Sequence, residues 1–215
     1  KISFPAEVYA KILKWKKGTT TSIYLTNSEI RKFMQVKTES DIEKAVKVRF
    51  LLSCFTGCRW SDVTKLNLSN ITFTEYENID SSIDTVKEIS YVSEKTNTDT
   101  NVPLKPCVEE LLRDSVAEVS NAQANYILPR LCERAGIRGM VKVVKADKMQ
   151  EGEKWEFVRP HTARKSFATN VYLSGEYDIR SISKMMGHAS SATTEQTYIL
   201  CGYVRRTGII RSYFE

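Results

Sequence analysis

The sequence predicts a mainly helical α+β domain with a small antiparallel β-sheet. Before residue 70 and after residue 104, apolar residues recur at three- and four-residue intervals behind Ser, Thr or Asp residues that can cap helices. Between 71 and 104, β-branched and aromatic residues alternate with polar ones, and polar turns separate the runs. The length of 215 residues, with 41% hydrophobic and 27% charged residues, fits one large globular domain.

Three helices are predicted before the sheet, each opened by a capping residue. They run from Thr26 to about Val36, from Ser40 to about Phe55 and from Ser61 to about Leu66. Glu29 and Glu43 follow the first two caps by three residues, which is the spacing of a capping box. Gly57 predicts the end of the second helix, because glycine readily adopts the left-handed conformation that ends helices.

Four short strands are predicted next, in one antiparallel sheet. They cover 71–74, 83–86, 88–92 and 101–104. Lys95 falls in the turn between the last two strands. Pro103 predicts that the last strand lies at an edge of the sheet, because proline has no N–H to donate to a neighbouring strand.

Helical spacing returns after the sheet. Helices are predicted over 108–119, 126–135 and 162–173, then from Asp178 to Met186 and from Ser190 or Ser191 through Tyr198; the predicted stops are Gly136, Gly175 and Gly187. The polar segment 138–158 is interpreted as an excursion with a hairpin around 148–152. The five cysteines lack Cys-x-x-Cys spacing, so free thiols in a reducing cytosol are expected rather than disulfides or a zinc site.

The charge of the chain favours a polyanionic partner. The formal net charge is +6 and the pI is about 9.0, which suits nucleic acid without requiring it. No apolar run reaches the ~18–20 residues that a membrane span needs, and no signal peptide is visible. The first residue is Lys1 rather than Met, so the chain is expected to be a fragment of a longer protein.

Side chains suited to phosphate chemistry are concentrated between 159 and 200, with two more upstream. The candidates are Arg59, Lys95, His161, Arg164, His188 and Tyr198. Arginine can donate two parallel hydrogen bonds to phosphate oxygens, histidine can move a proton at neutral pH, and a tyrosine phenol can act as a nucleophile. Taken singly, each has an ordinary alternative, such as a helix cap, a turn lysine or a half-buried tyrosine. Their combination favours one site.

These residues and their neighbours resemble the tyrosine recombinases, also called phage-type integrases. The matching motifs, in family order over 25–200, are TGCRWSDV around Arg59, Lys95-Thr96, the HTAR of 161–164 followed by SFATN, MGHAS around His188, and TTEQTY ending at Tyr198. The wording HTAR-KSFATN is most similar to integrases of Bacteroidetes mobile elements. The resemblance implies the DNA breaking-rejoining catalytic fold over 25–201.

The same resemblance implies a domain organisation. Residues 1–24 would be a basic linker from a missing N-terminal core-binding domain. Residues 202–215 would be a tail that packs on a neighbouring protomer or folds back on its own domain. The implied partners are double-stranded DNA, three further copies in a homotetramer on paired sites, and accessory DNA-bending or directionality proteins. The chain alone would be a monomer in free solution, located in the bacterial cytoplasm at the nucleoid.

The implied reaction is an attack of Tyr198 on a DNA phosphodiester that gives a 3′-phosphotyrosine bond, without metal, ATP or any other cofactor. In this scheme His161 takes or orients the phenol proton, and Lys95 protonates the leaving 5′-oxygen. The residues that would bind the phosphate are Arg59, Arg164 and His188.

Two departures and three alternatives remain at this point. Asp62 stands where the family usually has an acid, often Glu, and would brace the arginines, whereas Lys165 stands where many members have a second histidine. The alternatives are a type IB topoisomerase-like nicking-closing enzyme, a non-catalytic helical DNA-binding protein, and a metal-free ribonuclease that uses two histidines and a lysine.

Overall fold

The computed structural model describes residues 23–114, 117–145, 148–188 and 190–194. It confirms the mainly helical α+β class. The elements in chain order are α1 (Asn27–Met34), α2 (Asp41–Thr56), α3 (Trp60–Val63), a 3-10 helix (Leu68–Asn70), β1 (Ile71–Glu77), β2 (Ile83–Ser93), β3 (Thr98–Pro103), α4 (Pro106–Arg113), α5 (Asn121–Arg134), β4 (Met140–Lys145), β5 (Lys148–Glu153), a second 3-10 helix (Lys154–Phe157), α6 (Pro160–Ser174) and α7 (Ile179–Met185).

Helix α2 is the centre of the fold. It packs against α1, α3, α4, α5 and α6, and most of its side chains after Lys44 are buried. Phe50 and Cys54 belong to a core shared with α1 and α5, whereas Val48 and Leu52 belong to a second core shared with the sheet, α6 and α7. A helix that is buried on both sides must be apolar on both sides, which explains the sequence FLLSCF at its end.

The predicted caps determine where the first two helices begin. Thr26 Oγ1 accepts a hydrogen bond from the Glu29 amide at 3.3 Å, and the Glu29 carboxylate accepts one from the Thr26 amide at 2.7 Å, which confirms the capping box. Ser40 likewise caps α2 through the Glu43 amide at 3.2 Å. The carboxylate of Glu43, however, binds the amide of Glu39 rather than that of the cap.

The next two helices differ from the prediction. Helix α3 begins directly after Arg59, whose extended backbone makes it the N-cap, so the predicted start at Ser61 is wrong. Helix α4 begins at Pro106, because proline at the first helical position loses no hydrogen bond. It ends at Arg113 rather than near Val119, since the backbone turns extended at Asp114.

The main sheet has three antiparallel strands in the order β1-β2-β3, rather than four. The predicted strands 83–86 and 88–92 are one continuous strand, because Lys87 between them stays in the ladder opposite Phe73. Pro103 does lie on an edge strand, as predicted. Strand β1 is exposed along almost its whole length, and the inner end of the sheet is buried through Ile89 and Val102.

The segment after the sheet also shifts relative to the prediction. Helix α5 begins at Asn121 rather than Tyr126, because Ser120 and Gln123 form a capping box that the sequence analysis missed. The predicted hairpin exists as β4 and β5, but 148–152 lies in strand β5 and not in the turn. Gly152 serves close packing there, since a Cβ at this position would lie 3.0 Å from the Glu156 carboxylate.

The C-terminal helices follow the prediction as far as the structure describes them. Helix α6 ends at Gly175 with φ +80°, and Asp178 caps α7 through the amide of Ser181 at 2.7 Å. A helical turn at 191–194 follows Ser190. Tyr198 and the rest of its predicted helix lie outside the described residues, as do 1–22 of the basic lead and the tail 202–215.

Two further expectations concern cysteines and membranes. Cys54, Cys58 and Cys132 are buried free thiols and Cys107 is a half-buried one, as predicted; Cys201 lies outside the described residues. Among the helices that the structure describes, none combines the length and the apolar character of a membrane span.

Candidate active site

Arg59 reaches the site from the end of the central helix. Gly57 ends α2 with φ +69°, and the chain then turns so that Arg59 caps α3. Its Nη1 donates to the hydroxyl of Ser93 and its Nη2 donates to the carbonyl oxygen of Gly187 at 3.2 Å. The side chain is 18% exposed, so the guanidinium is held by the protein and still open to solvent.

Asp62 and Ser93 hold the guanidinium of Arg59 in place. The Ser93 hydroxyl donates to Asp62 Oδ2 at 3.1 Å while it accepts from Arg59, and Asp62 Oδ2 lies 3.9 Å from Arg59 Nη1. Both Asp62 and Ser93 are buried. The bracing role predicted for Asp62 thus has a direct structural basis at Arg59.

Arg164 enters the same site from the first turns of α6 and is buried, with 4% of its surface exposed. Its Nη1 donates to the carbonyl oxygen of Gly57 at 2.5 Å, and its Nη2 donates to the carbonyl oxygen of Met186. The two carbonyls come from the ends of α2 and α7. The guanidinium therefore ties together two loops that are far apart in the sequence and next to each other in the site.

His188 follows the left-handed Gly187 that ends α7. Its Nδ1 is 2.7 Å from the hydroxyl of the buried Thr194. When Nδ1 accepts from that hydroxyl, Nε2 carries the proton and can donate a hydrogen bond. Desolvation by burial, followed by the positive charges of Arg164 and Arg59, lowers the pKa of His188 to about 4, so the ring is neutral near pH 7.

His161 lies in the first turn of α6, three residues before Arg164. The residue as a whole is exposed to solvent. Desolvation by the surrounding protein and the charges of Lys165 and Arg164 nevertheless lower the pKa of His161 to about 4. A neutral imidazole can accept a proton, which a general base must do. Lys165 is itself half-buried, and desolvation lowers its pKa.

Lys95 lies in the turn between β2 and β3, as predicted, and its side chain is exposed. The next residue, Thr96, donates its hydroxyl to the carbonyl oxygen of Gly187 at 2.9 Å. The same oxygen accepts from Arg59. The turn that carries Lys95 is thus hydrogen-bonded to the same carbonyl oxygen as Arg59, in the residue directly before His188.

The structure therefore brings five of the six predicted residues into one region. Arg59, Arg164 and His188 share the loop at 186–188, Lys95 is attached to that loop through Thr96, and His161 is close enough to raise the cost of charging His188. Tyr198 lies outside the described residues, so its place in the site stays a prediction.

A different tyrosine, Tyr91, lies near Arg164. Its hydroxyl is buried, next to the thiol of Cys58, and burial raises the pKa of Tyr91 well above its usual range. A buried phenol with a raised pKa is a poor nucleophile and cannot reach a macromolecule. Tyr91 is thus near Arg164 yet unsuited to attack a phosphate there.

Three hydroxyl side chains of the site were not given a role by the sequence analysis: Ser93, Thr96 and Thr194. Thr96 and Thr194 fall inside the motifs quoted above, and that position was the signal available for them. Ser93 ends strand β2, two residues before Lys95, and only the fold shows that it meets Arg59.

Two held arginines, an exposed lysine and two neutral histidines are groups that can bind a tetrahedral anion such as a phosphodiester. The sequence model of the phage integrase family matches residues 23–201, which is most of the chain. The chain belongs to the phage integrase family.

Individual relatives agree with this assignment. Tyrosine recombinase XerD of Oceanobacillus iheyensis is 25% identical over 207 residues, which are 92% of this chain and 64% of that protein. Tyrosine recombinase XerD of Bifidobacterium longum is 26% identical over 208 residues, 88% of this chain and 62% of that protein. The chain thus spans less than two thirds of the length of these curated relatives. The narrower resemblance to integrases of Bacteroidetes elements stays a prediction.

Among solved structures, the XerH site-specific recombinase bound to palindromic difH substrate in a post-cleavage complex matches with a TM-score of 0.58 and 18% identity, over 89% of this chain and 53% of that one. At this identity the match shows the fold, which is that of tyrosine recombinase catalytic domains.

Proposed function

We propose that the chain is the catalytic domain of a site-specific DNA recombinase that cuts and rejoins DNA through a 3′-phosphotyrosine intermediate. The observation that carries the proposal is the pair Arg59 and Arg164, each held by one backbone carbonyl oxygen of the loop that precedes His188. The XerH site-specific recombinase is bound to palindromic difH substrate in its post-cleavage complex, and the Tn1549 transposon integrase is in complex with transposon right end DNA, which supports DNA as the substrate class for this chain.

In the proposed cleavage step, the phenol oxygen of Tyr198 forms a bond to the phosphorus and the bond from phosphorus to the 5′-oxygen breaks. The neutral His161 accepts the phenol proton, and Lys95 gives a proton to the departing 5′-oxygen. Charge builds up on the non-bridging oxygens in the transition state. The residues proposed to bind it are Arg59, Arg164 and His188.

Rejoining reverses this step. A 5′-hydroxyl attacks the phosphotyrosine, Lys95 takes its proton, and His161 returns a proton to the phenolate of Tyr198. Because the phosphodiester bond energy is kept in the covalent link, a hydroxyl from a second strand serves as well as the original one. Each step forms one bond to phosphorus and breaks one, and every proton released is taken up by a named group, so the scheme needs no cofactor.

The proposal extends to the assembly. Residues 1–24 are proposed to link this domain to a core-binding domain, and residues 202–215 to pack on a neighbouring protomer. Four copies would act on two paired DNA sites, with accessory DNA-bending or directionality proteins. The isolated domain would bind DNA weakly, and its affinity would fall steeply with salt concentration because the contacts are mainly to phosphates.

The test is covalent capture on nicked DNA. The probe is a pool of duplexes of randomised sequence, each with one nick, so that cleavage near the nick releases a short strand and traps the protein on the DNA. The expected result is a protein–DNA adduct on a denaturing gel that disappears in Tyr198→Phe. Sequencing of the trapped strands then gives the preferred site.

Two controls complete this experiment. Tyr91→Phe should still form the adduct, because its phenol is buried. On duplexes with the recovered site, exchange of strands between two molecules supports a recombinase, whereas relaxation of supercoiled DNA without exchange assigns a topoisomerase-like reaction. Absence of an adduct on every duplex, with the full-length protein as well, overturns the proposal.

A further inference from the structure

The turn between β2 and β3 presents one side chain to the protein and three to solvent. Thr96 is half-buried, whereas Glu94, Lys95 and Asn97 are exposed. Asn97 has a φ of +46°, which completes the reversal of the chain. Glu94 pairs with Lys65 at 3.1 Å, but both side chains are more than half exposed, and such surface pairs hold a loop weakly.

Thr96 is the specific anchor of this turn. Its hydroxyl donates to the carbonyl oxygen of Gly187 at 2.9 Å, across 91 residues of sequence. Its amide binds the Ser93 carbonyl oxygen at 3.3 Å, and its own carbonyl oxygen accepts from the Thr98 hydroxyl at 3.2 Å. The first contact is the one that joins the turn to another part of the site.

The carbonyl of Gly187, which accepts this hydrogen bond, lies in a closely packed part of the site. A Cβ at Gly187 would lie 2.8 Å from Thr100 Oγ1 and 3.1 Å from the Cβ of Ser93, so β2 and β3 pack directly against this glycine. Gly187 O also accepts from Arg59. One carbonyl thus fixes both the arginine and the lysine turn relative to the loop of His188.

We propose that Thr96 is a positioning residue for Lys95: its hydroxyl sets the β2–β3 turn so that the lysine ammonium meets the leaving 5′-oxygen. The inference rests on the proposed function, because it assigns Lys95 the role of general acid. Lysine has a flexible four-carbon stem, so the place of its backbone decides how often the ammonium reaches the oxygen. Loss of the hydroxyl leaves Gly187 O bonded to Arg59 and affects the fold little.

The test compares Thr96→Val, which keeps the shape and loses the hydroxyl, with Thr96→Ser, which keeps the hydroxyl. Each is measured on a nicked duplex with the recovered site, carrying either the normal 5′-oxygen or a bridging 5′-sulfur at the cleaved bond. A thiol has a pKa of ~8.5, far below that of an alcohol, so the sulfur leaves without help from an acid. Thr74→Val, on the exposed strand β1 of the same sheet, is the matched control.

With oxygen, Lys95→Ala should lose ~10²–10⁴-fold in cleavage rate, and Thr96→Val at least about tenfold. Thr96→Ser and Thr74→Val should stay near the wild-type rate. With sulfur, Thr96→Val and Lys95→Ala should both recover. In the Lys95→Ala background, Thr96→Val should add no further loss, because the two residues act on one step.

Either of two results overturns the inference while leaving the proposed function intact: Thr96→Val cleaves the oxygen substrate at the wild-type rate, or its defect persists with sulfur while Lys95→Ala recovers. Absence of any adduct in the capture experiment that yields this site, with the full-length protein as well, overturns the proposed function itself. The adduct of the wild-type chain therefore separates the two failures.

Discussion

The ring of Phe167 lies directly against the backbone of Gly57. A Cβ added to Gly57 would lie 2.5 Å from Cδ1 and 2.7 Å from Cε1 of that ring. Gly57 also has a φ of +69°, in the left-handed region, and its carbonyl oxygen accepts from Arg164. The packing of α6 on the end of α2 therefore places the carbonyl that holds a site arginine.

Gly57→Ala should destabilise the protein through both the clash and the backbone strain. Gly136→Ala is the control, because Gly136 has a φ of +66° and no atom within 4 Å of the added Cβ. We expect the control to cost about 1–2 kcal/mol from strain alone, and Gly57→Ala a further ~1–3 kcal/mol from overpacking. Urea unfolding measures both. Equal losses in the two variants would show that Phe167 yields without cost.

Asp62→Ala should reduce both the cleavage rate and the stability of the fold. The substitution removes the acceptor of Ser93 and the carboxylate beside Arg59, so the guanidinium loses its orientation. We expect cleavage to fall by ~10²-fold, which is what a displacement of about 1 Å costs, and unfolding free energy by ~1–3 kcal/mol. Asp84→Ala on the exposed part of β2 should change neither. Unchanged adduct formation in Asp62→Ala would contradict the bracing role.

The sequence predicted the features that depend on near neighbours. Caps at Thr26 and Asp178 and stops at Gly57 and Gly175 act within one helical turn, so a few residues suffice to identify them. The candidate residues were found in another way, from motifs that resemble a known family. In β2 the boundary failed because a tertiary contact overrides local preference, since Lys87 is kept in the ladder by Phe73. The start of α5 failed because a local signal, the capping box of Ser120 and Gln123, was missed.

The backbone carbonyl oxygens that hold the arginines could not be predicted. Gly57, Met186 and Gly187 contribute backbone carbonyl oxygens, and every residue type carries such an oxygen. Which carbonyl faces a guanidinium depends on how α2, α6 and α7 end beside one another. The contact from Arg164 to Gly57 spans 107 residues, and no local pattern marks it.

Protonation of the two histidines should lower the stability of the fold as the pH falls through a defined window. Their pKa values are lowered in the folded protein from 6.5 to about 4, so the unfolded chain binds protons first as pH drops below 6.5. Stability is then lost progressively between pH 6.5 and about 4. His188 should contribute more than His161, which is more exposed to solvent and more strongly screened.

The measurement is urea unfolding near pH 7 and near pH 5 for the wild type and for the double variant His161→Gln/His188→Gln. Carboxylates also lose their interactions at low pH, so the comparison is between the two slopes. The double variant should lose less stability over this interval. Identical losses would mean that the histidines take up protons in the folded protein as readily as in the unfolded chain.

Arg164→Lys should abolish most cleavage even though it keeps the positive charge. The guanidinium donates to the carbonyl oxygens of Gly57 and Met186 from two separate nitrogens. A lysine has one nitrogen at the end of a flexible stem and cannot reproduce that fork. The lysine ammonium can donate to one of the two carbonyl oxygens or approach the phosphate, and the groups that it does not reach lose their hydrogen-bond donor. We expect a loss of ~10²–10³-fold in the rate of adduct formation.

Arg180→Lys, on the exposed side of α7, is the matched control and should cleave at the wild-type rate. Unfolding free energy should fall by ~1–3 kcal/mol in Arg164→Lys alone, because a buried carbonyl loses its hydrogen bond. A variant that cleaves normally would show that charge suffices at this position. A variant that is as stable as the wild type but inactive would show that the fork acts on the phosphate and not on the fold.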